Sequence, residues 1–202
     1  MKKLLIYILL MITCMLNAQD SLNYTKFISF SPQYLFNYGI RMDFERKVGS
    51  NKWLVIAPQI YLAEKNSQSS SDEHTGRDDF NLLAGTGLSV YMKNFALKNR
   101  NSGAYLGYGL MYNYFYTEYY EDIDNDIEEV KANIHKIGFD ILLGYQMMVY
   151  NVAYIDIYTG FGARKGYIEN GEYSDFKFNG YPIGFNMTGN ILLLGIKIGI
   201  MF

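Results

Sequence analysis

Large apolar residues occupy every second position near the end of the chain: Leu192, Leu194, Ile196, Ile198, Ile200 and Phe202, with Gly195, Lys197 and Gly199 between them. A two-residue period describes a β-strand with two unlike faces. The same alternation predicts eight strands in all, over 24–35, 38–48, 53–64, 80–95, 103–120, 132–150, 152–168 and 192–202. In the second, Tyr38, Ile40, Met42 and Phe44 alternate with Gly39, Arg41, Asp43 and Glu45. In the sixth, Ile137, Phe139, Ile141, Leu143 and Tyr145 alternate with Lys136, Gly138, Asp140, Gly144 and Gln146. Short connections at 49–52, 96–102 and 151 take turns with long polar ones at 65–79, 121–129 and 169–190. Short turns at one end and long loops at the other are the pattern of a membrane barrel.

Periodicity alone fits a soluble barrel with its apolar face inward as well as a membrane barrel with that face outward. The content of the two faces separates them. The polar set carries Arg41, Asp43, Glu45, Lys93, Lys136, Asp140, Asp156, Arg164 and Lys197, five cations and four anions, together with many glycines. Such charges can balance one another in a narrow lumen, whereas a continuous outer band of Leu, Ile, Phe and Met in water would aggregate. The expectation is therefore an all-β fold, an eight-stranded antiparallel transmembrane β-barrel with up-and-down meander topology. Its closure pairs the backbone groups that hydrocarbon cannot satisfy. Lys197 lies five residues before the end, near the bilayer midplane at about 3.3 Å per residue. A lumen network is expected there, with Asp156 from the neighbouring strand, Asp43 and Glu45 across the closing seam, and Arg41 completing it.

Composition narrows the function classes. Half of the 202 residues are apolar, yet after the first nineteen no run approaches the roughly 20 apolar residues of a membrane helix. Aromatic residues, 20 Tyr and 13 Phe among them, suit strands at a water boundary. A formal net charge of −2 gives no electrostatic reason to expect nucleic acid. Lys2 and Lys3, the apolar stretch 4–12 and Ala18 read as a secretory signal peptide over 1–18, leaving 19–202 as the barrel domain. Lipidation of Cys14 is the rival, but Met11 and Thr13 fit poorly before it. Since Cys14 is the only cysteine, its removal leaves no disulfide, thiol nucleophile or cysteine metal site.

Little else carries chemistry. His74 stands in a polar loop beside Ser71, Asp72 and Glu73, where side chains rarely hold catalytic geometry. His135 begins the sixth strand on its apolar-facing set, and no partner is evident by spacing. Asp122, Asp124 and Asp126 have the early spacing of a calcium loop, but Ile127 stands for its glycine and Asn133 for its bidentate glutamate. The glycines of 107–109 precede no helix and no Lys-Ser/Thr pair, so they form no phosphate loop. No catalytic, cofactor-binding or metal-ligating residue is expected.

The entry SPQYLFNYGIRMDFERKV and the end GIKIGIMF resemble those of small eight-stranded outer-membrane barrels of the OmpA-like, OmpX-like or PorT-like kinds. The resemblance implies export to the bacterial outer membrane and contact with outer-membrane lipid and lipopolysaccharide. It also implies that the last strand, through Ile196, Ile198, Ile200 and Phe202, is an assembly signal recognised by the barrel-assembly machinery. Such barrels include anchors, adhesins, assembly factors and a few lipid-modifying enzymes. The expected function is a non-enzymatic integral barrel that binds a surface ligand or an envelope protein through its loops, or organises the envelope. A lipid-modifying enzyme and a small pore are the alternatives.

Overall fold

The computed structural model describes residues 24–62, 81–97, 101–123, 126–149, 152–169 and 189–202, so the expected signal peptide and Cys14 lie outside the described residues. Eight strands are present: β1 (Lys26–Phe30), β2 (Gly39–Lys47), β3 (Lys52–Tyr61), β4 (Asn81–Phe95), β5 (Gly103–Ile123), β6 (Asp126–Val149), β7 (Ala153–Glu169) and β8 (Gly189–Met201). Each pairs antiparallel with its neighbours in chain order, and β8 closes on β1. The eight-stranded meander barrel is thus the fold. Tracing the register from Ile28 through Phe44, Ile56, Val90, Leu110, Phe139 and Ala163 reaches Asn190, whereas Ile28 itself faces Ile200. The stagger is 200 − 190 = 10 residues. Eight strands with that stagger tilt by about 40–45° and enclose a space that side chains can fill.

Parity along each strand sorts the residues as the pattern predicts. Leu194 and Phe161 are 70% and 71% exposed on the exterior, while Asp43 and Asp156 are fully buried inside. At the end of the barrel that holds the start of β1 and the close of β8, hereafter the terminal end, the lumen is stopped by aromatic rings. Phe27 stacks on Trp53 at 4.2 Å, Tyr154 leans on Phe27 at 5.1 Å, and Phe95 meets Tyr105 edge-on at 5.7 Å. Close approach of neighbouring strands explains why some inward positions are glycine. A Cβ on Gly109 would fall on the Val90 carbonyl oxygen and within 2.7 Å of the Tyr91 Cα.

Two segments depart from the sequence expectation. The first strand was expected over 24–35, but β1 ends at Phe30 and a 3-10 segment, Pro32–Asn37, follows. Pro32 supplies no backbone N–H and fixes φ, which breaks the ladder. Tyr38, in the left-handed region at φ 51°, turns the chain into β2. The acidic stretch 121–129, expected as a loop, is instead almost all strand. Pairing between β5 and β6 continues through Glu121↔Glu128 to Ile123↔Asp126, and 124–125 lie outside the described residues. Beyond Glu118 on the β4 side and Asn133 on the β7 side these two strands pair, among the described residues, only with each other, as a two-stranded ribbon at the distal end. Backbone pairing overrides composition there, because a ribbon in water needs no apolar face.

Candidate functional site

Above the aromatic stop lies a layer of charge built from four strands, β2, β4, β7 and β8. Asp43 on β2 is the acceptor for two cations: Arg41 from the same strand grips it with Nε at 2.7 Å and Nη2 at 3.2 Å, and Lys197 Nζ reaches it across the seam at 2.5 Å. Lys93 on β4 is the second centre. Its Nζ lies 3.2 Å from Glu45, 2.8 Å from Asp156 and 2.5 Å from the Gln146 amide oxygen. Phenols complete both carboxylates, Tyr105 donating to Asp156 at 2.8 Å and Tyr154 to Glu45 at 3.3 Å. The layer holds three cations (Arg41, Lys93, Lys197) and three carboxylates (Asp43, Glu45, Asp156), all buried. Buried charges persist only when paired and hydrogen-bonded in this way.

The structure brings together the five residues expected there, with different partners. Asp156 and Lys197 are directly opposite in the β7–β8 register, but the Asp156 carboxylate pairs with Lys93 and the Lys197 ammonium with Asp43. Long side chains cross the lumen, so adjacency on the sheet does not fix the ion pair. Lys93 lies on the polar face by its period, yet the network expected around Lys197 does not include it. Its height was the available signal: it stands two residues inside the terminal end of β4.

Toward the distal end the lumen continues as separate polar pairs between aromatic and aliphatic side chains. Arg164 and Asp140 form an ion pair, and Tyr91 donates to Asp140 at 2.8 Å. Gln59 donates to Ser89 at 2.7 Å and accepts from Tyr61 at 2.7 Å. Tyr34, from the 3-10 segment, accepts from Arg41 Nη1 at 2.8 Å, and its ring lies 6.4 Å from that of Tyr61. Among the described residues no group of three or more His, Cys, Asp or Glu is arranged to hold a metal ion.

A second cluster sits on the exterior, near the distal end. His135 Nδ1 is 2.7 Å from the Tyr112 hydroxyl and Nε2 is 3.2 Å from Glu169. Tyr167 stacks on the imidazole at 4.9 Å and Tyr114 meets it edge-on at 5.3 Å, with its own hydroxyl donating to Asn133. Sequence spacing showed no partner for His135, because the partners come from neighbouring strands: Tyr114, His135 and Tyr167 are successive across the register. A ring held between a phenol and a carboxylate has a fixed tautomer and orientation. The rings around it form an aromatic band.

Other candidates separate. His74, with Ser71, Asp72 and Glu73, and Asp124 lie outside the described residues, while Asp122 and Asp126 belong to paired strands. Ile196, Ile198, Ile200 and Phe202 all face outward and are exposed.

No protein-family model matches the chain, and no curated protein matches it. Among solved structures, the crystal structure of Acinetobacter baumannii CarO is similar at a TM-score of 0.42, with 10% identity over 91% of this chain and 100% of that one. With a likeness of that extent, the barrel architecture rests on its own strand register.

Proposed function

We propose that the protein is a non-enzymatic integral barrel of the bacterial outer membrane, whose distal end binds a surface ligand or an envelope protein, or serves envelope organisation. The observation that carries this reading is the inversion of the barrel. Leu110, Leu143, Leu192 and Leu194 are at least 60% exposed outside, while six charges are buried and mutually paired inside. Water cannot solvate that exterior without aggregation, and lipid can. The aromatic residues around His135 suit an outer interface, and in this reading the terminal end faces the periplasm and the β5–β6 ribbon the outside of the cell. Lipopolysaccharide is then the neighbour of the outer exterior face. The outward Ile196, Ile198, Ile200 and Phe202 form the signal for the barrel-assembly machinery, by strand pairing at an exposed edge.

The aromatic stop and the neutral charge layer favour a non-conducting barrel over a small pore. The Tyr112–His135–Glu169 chain favours, as a second reading, chemistry on lipid at the outer rim. Reconstitution into planar bilayers, affinity capture from envelopes and lipid analysis of a deletion strain test these together. The proposed role expects specific copurifying envelope or surface components, no stable conductance and unchanged lipid A. A stable large conductance would replace it with the pore, and altered lipid A with the enzyme.

A further inference from the structure

Charge is divided unevenly between the two ends of the barrel. Apart from Asp20 and the lumen carboxylates Asp43, Glu45, Asp140 and Asp156, every Asp and Glu of the sequence falls within 64–79, 118–129 or 169–175, the stretches that end or join strands on the distal side. The short connections of the terminal end, 48–51, 96–102 and 150–152, contain no acidic residue. Cations gather there on one side of the exterior. Lys26 on β1, Arg46 on β2 and Lys52 on β3 are all exposed, and they share the outward parity of Ile28, Phe44 and Ile56.

The register places these three together. Lys26 and Arg46 are directly opposed across β1 and β2. Lys26 exchanges both of its backbone bonds with Phe202 of β8, at 3.1 and 2.9 Å, whereas Lys47 N–H donates to the Thr25 carbonyl at 2.9 Å. Lys26 and Arg46 therefore form a non-hydrogen-bonded pair, the kind in which facing side chains stand closest. Lys52 is the diagonal neighbour of Arg46, two residues from the Leu54 that faces it, at a spacing of about 7–8 Å that long side chains span. Rungs climb toward the distal end from β1 to β8, by about 3 Å per strand at this tilt. Lys52 drops back by one outward step, so the three stand within about 3–4 Å of one level.

Nothing in the protein offsets this charge. Like charges directly opposed destabilise a strand pair, and among the described residues no carboxylate forms an ion pair with any of the three. Glu45, the neighbour of Arg46 in sequence, is turned into the lumen toward Lys93. The repulsion falls on β1, the shortest of the eight strands. One outward step toward the distal end, the pair Ile28↔Phe44 begins the apolar exterior. Cations at the border of an apolar band stand at the depth of lipid phosphates.

We propose that Lys26, Arg46 and Lys52 form a binding site for an anionic glycerophospholipid, with the phosphate between Lys26 and Arg46 and the acyl chains along Ile28, Phe44 and Ile56. The site rests on the reading above that the exterior meets lipid, and it adds a headgroup preference that an apolar surface does not have. With the terminal end toward the periplasm, the lipid belongs to the inner leaflet. The guanidinium can hold two phosphate oxygens at once, while the ammonium groups act as point charges. Chemistry also selects the headgroup. A site without a carboxylate offers no partner to the ammonium of an ethanolamine or choline headgroup, so a net negative one such as phosphatidylglycerol is favoured. Its phosphate turns the repulsion between Lys26 and Arg46 into a bridge and fastens β1 to β2.

The test uses the full barrel in vesicles of phosphatidylcholine alone, or of phosphatidylcholine and phosphatidylglycerol in equal parts. Native mass spectrometry of protein released from the mixed vesicles should show bound phosphatidylglycerol favoured by at least about tenfold, as three cations near one anionic headgroup imply. In Lys26→Gln/Arg46→Gln/Lys52→Gln the ratio should fall to about one. Lys165→Gln, which removes an exposed exterior cation near the distal end of β7, should leave it unchanged. Urea unfolding followed by Trp53 fluorescence gives a second measurement, with a change of sign. The native barrel should have its higher midpoint in the mixed vesicles, whereas Lys26→Gln should raise the midpoint in phosphatidylcholine alone, by removing the like-charge pair, and shrink the gain from phosphatidylglycerol. Inorganic phosphate added to phosphatidylcholine vesicles supplies the anion without acyl chains and should not reproduce that gain. With the barrel inserted, equal lipid ratios in the native and triple variants, an equal loss in Lys165→Gln, or a full gain from inorganic phosphate would each overturn the proposal. Failure of the native barrel to float with phosphatidylcholine vesicles would instead overturn the lipid-facing exterior, and the site with it.

Discussion

Lys93 is the residue on which the lumen charge layer most depends. Replacing it by methionine keeps most of the apolar stem and removes the ammonium that lies between Glu45, Asp156 and Gln146. Arg41 and Lys197 cannot substitute, since both are engaged at Asp43. Two cations would then face three carboxylates, and Glu45 and Asp156 would keep only the phenol bonds from Tyr154 and Tyr105. Breaking a buried pair by removing one partner costs about 3–5 kcal/mol. With a urea dependence of about 2–3 kcal/mol per molar, the unfolding midpoint should fall by about 1–3 M. Trp53, the single tryptophan, buried against Phe27 in the same end of the lumen, reports the transition by fluorescence. Adding Asp156→Asn to Lys93→Met restores two cations to two carboxylates and keeps a side chain that accepts from Tyr105. The double variant should recover at least about half of the loss, a coupling expected of groups in contact. A Lys93→Met midpoint within about 0.5 M of the native one, or strictly additive losses in the double variant, would refute the charge-balance argument.

Gly109→Ala forces a Cβ onto the Val90 carbonyl oxygen and should cost about 1–3 kcal/mol by the same assay. Gly49→Ala, whose Cβ would meet Lys52 at 3.4 Å, should stay within about 0.5 kcal/mol. Leu194→Arg, on the exposed exterior of β8, should destabilise the barrel in lipid vesicles by up to about 2–4 kcal/mol, and no loss there would argue against lipid around that face. Mass spectrometry of the mature protein should give an N-terminus at Gln19, and a lipidated Cys14 would exclude that processing. Deletion of Phe202 should lower insertion while export continues, measured as the ratio of membrane-embedded to periplasmic protein.

How much of this was legible in the sequence depends on which physical variable the pattern encodes. Alternation encodes the face on which a side chain lies, and on β2, β4, β6 and β8 it sorted lumen from exterior residue by residue. It also gave the strand number. Height and reach are not encoded in the same way. Asp156 and Lys197 share a rung, yet their partners are Lys93 and Asp43, because a lysine can cross a narrow lumen more easily than it can fold back onto a carboxylate beside it. Composition misled at 121–129, where an acidic stretch expected as a loop keeps its ladder to Ile123↔Asp126. Charge density excludes a strand from a core, but not from a ribbon that has no core to face.

The break in β1 was the hardest feature to foresee, and the reason is specific. From Ile28 to Phe36 the even positions are all apolar or aromatic and the odd ones polar except Leu35, so the pattern favours a strand, while one proline and the left-handed turn at Tyr38 act against it. The ladder loses one donor at Pro32, and Arg41 and Tyr158 offer inward partners to Tyr34 and Gln33. The register with β2 sets a further limit: Ser31 N–H donates to the Arg41 carbonyl and Gly39 is held on β3, so the chain must turn back into β2 within a few residues of Gln33. A period read along the chain does not register that constraint, because it encodes the face on which a side chain lies and not the height at which the chain must turn back.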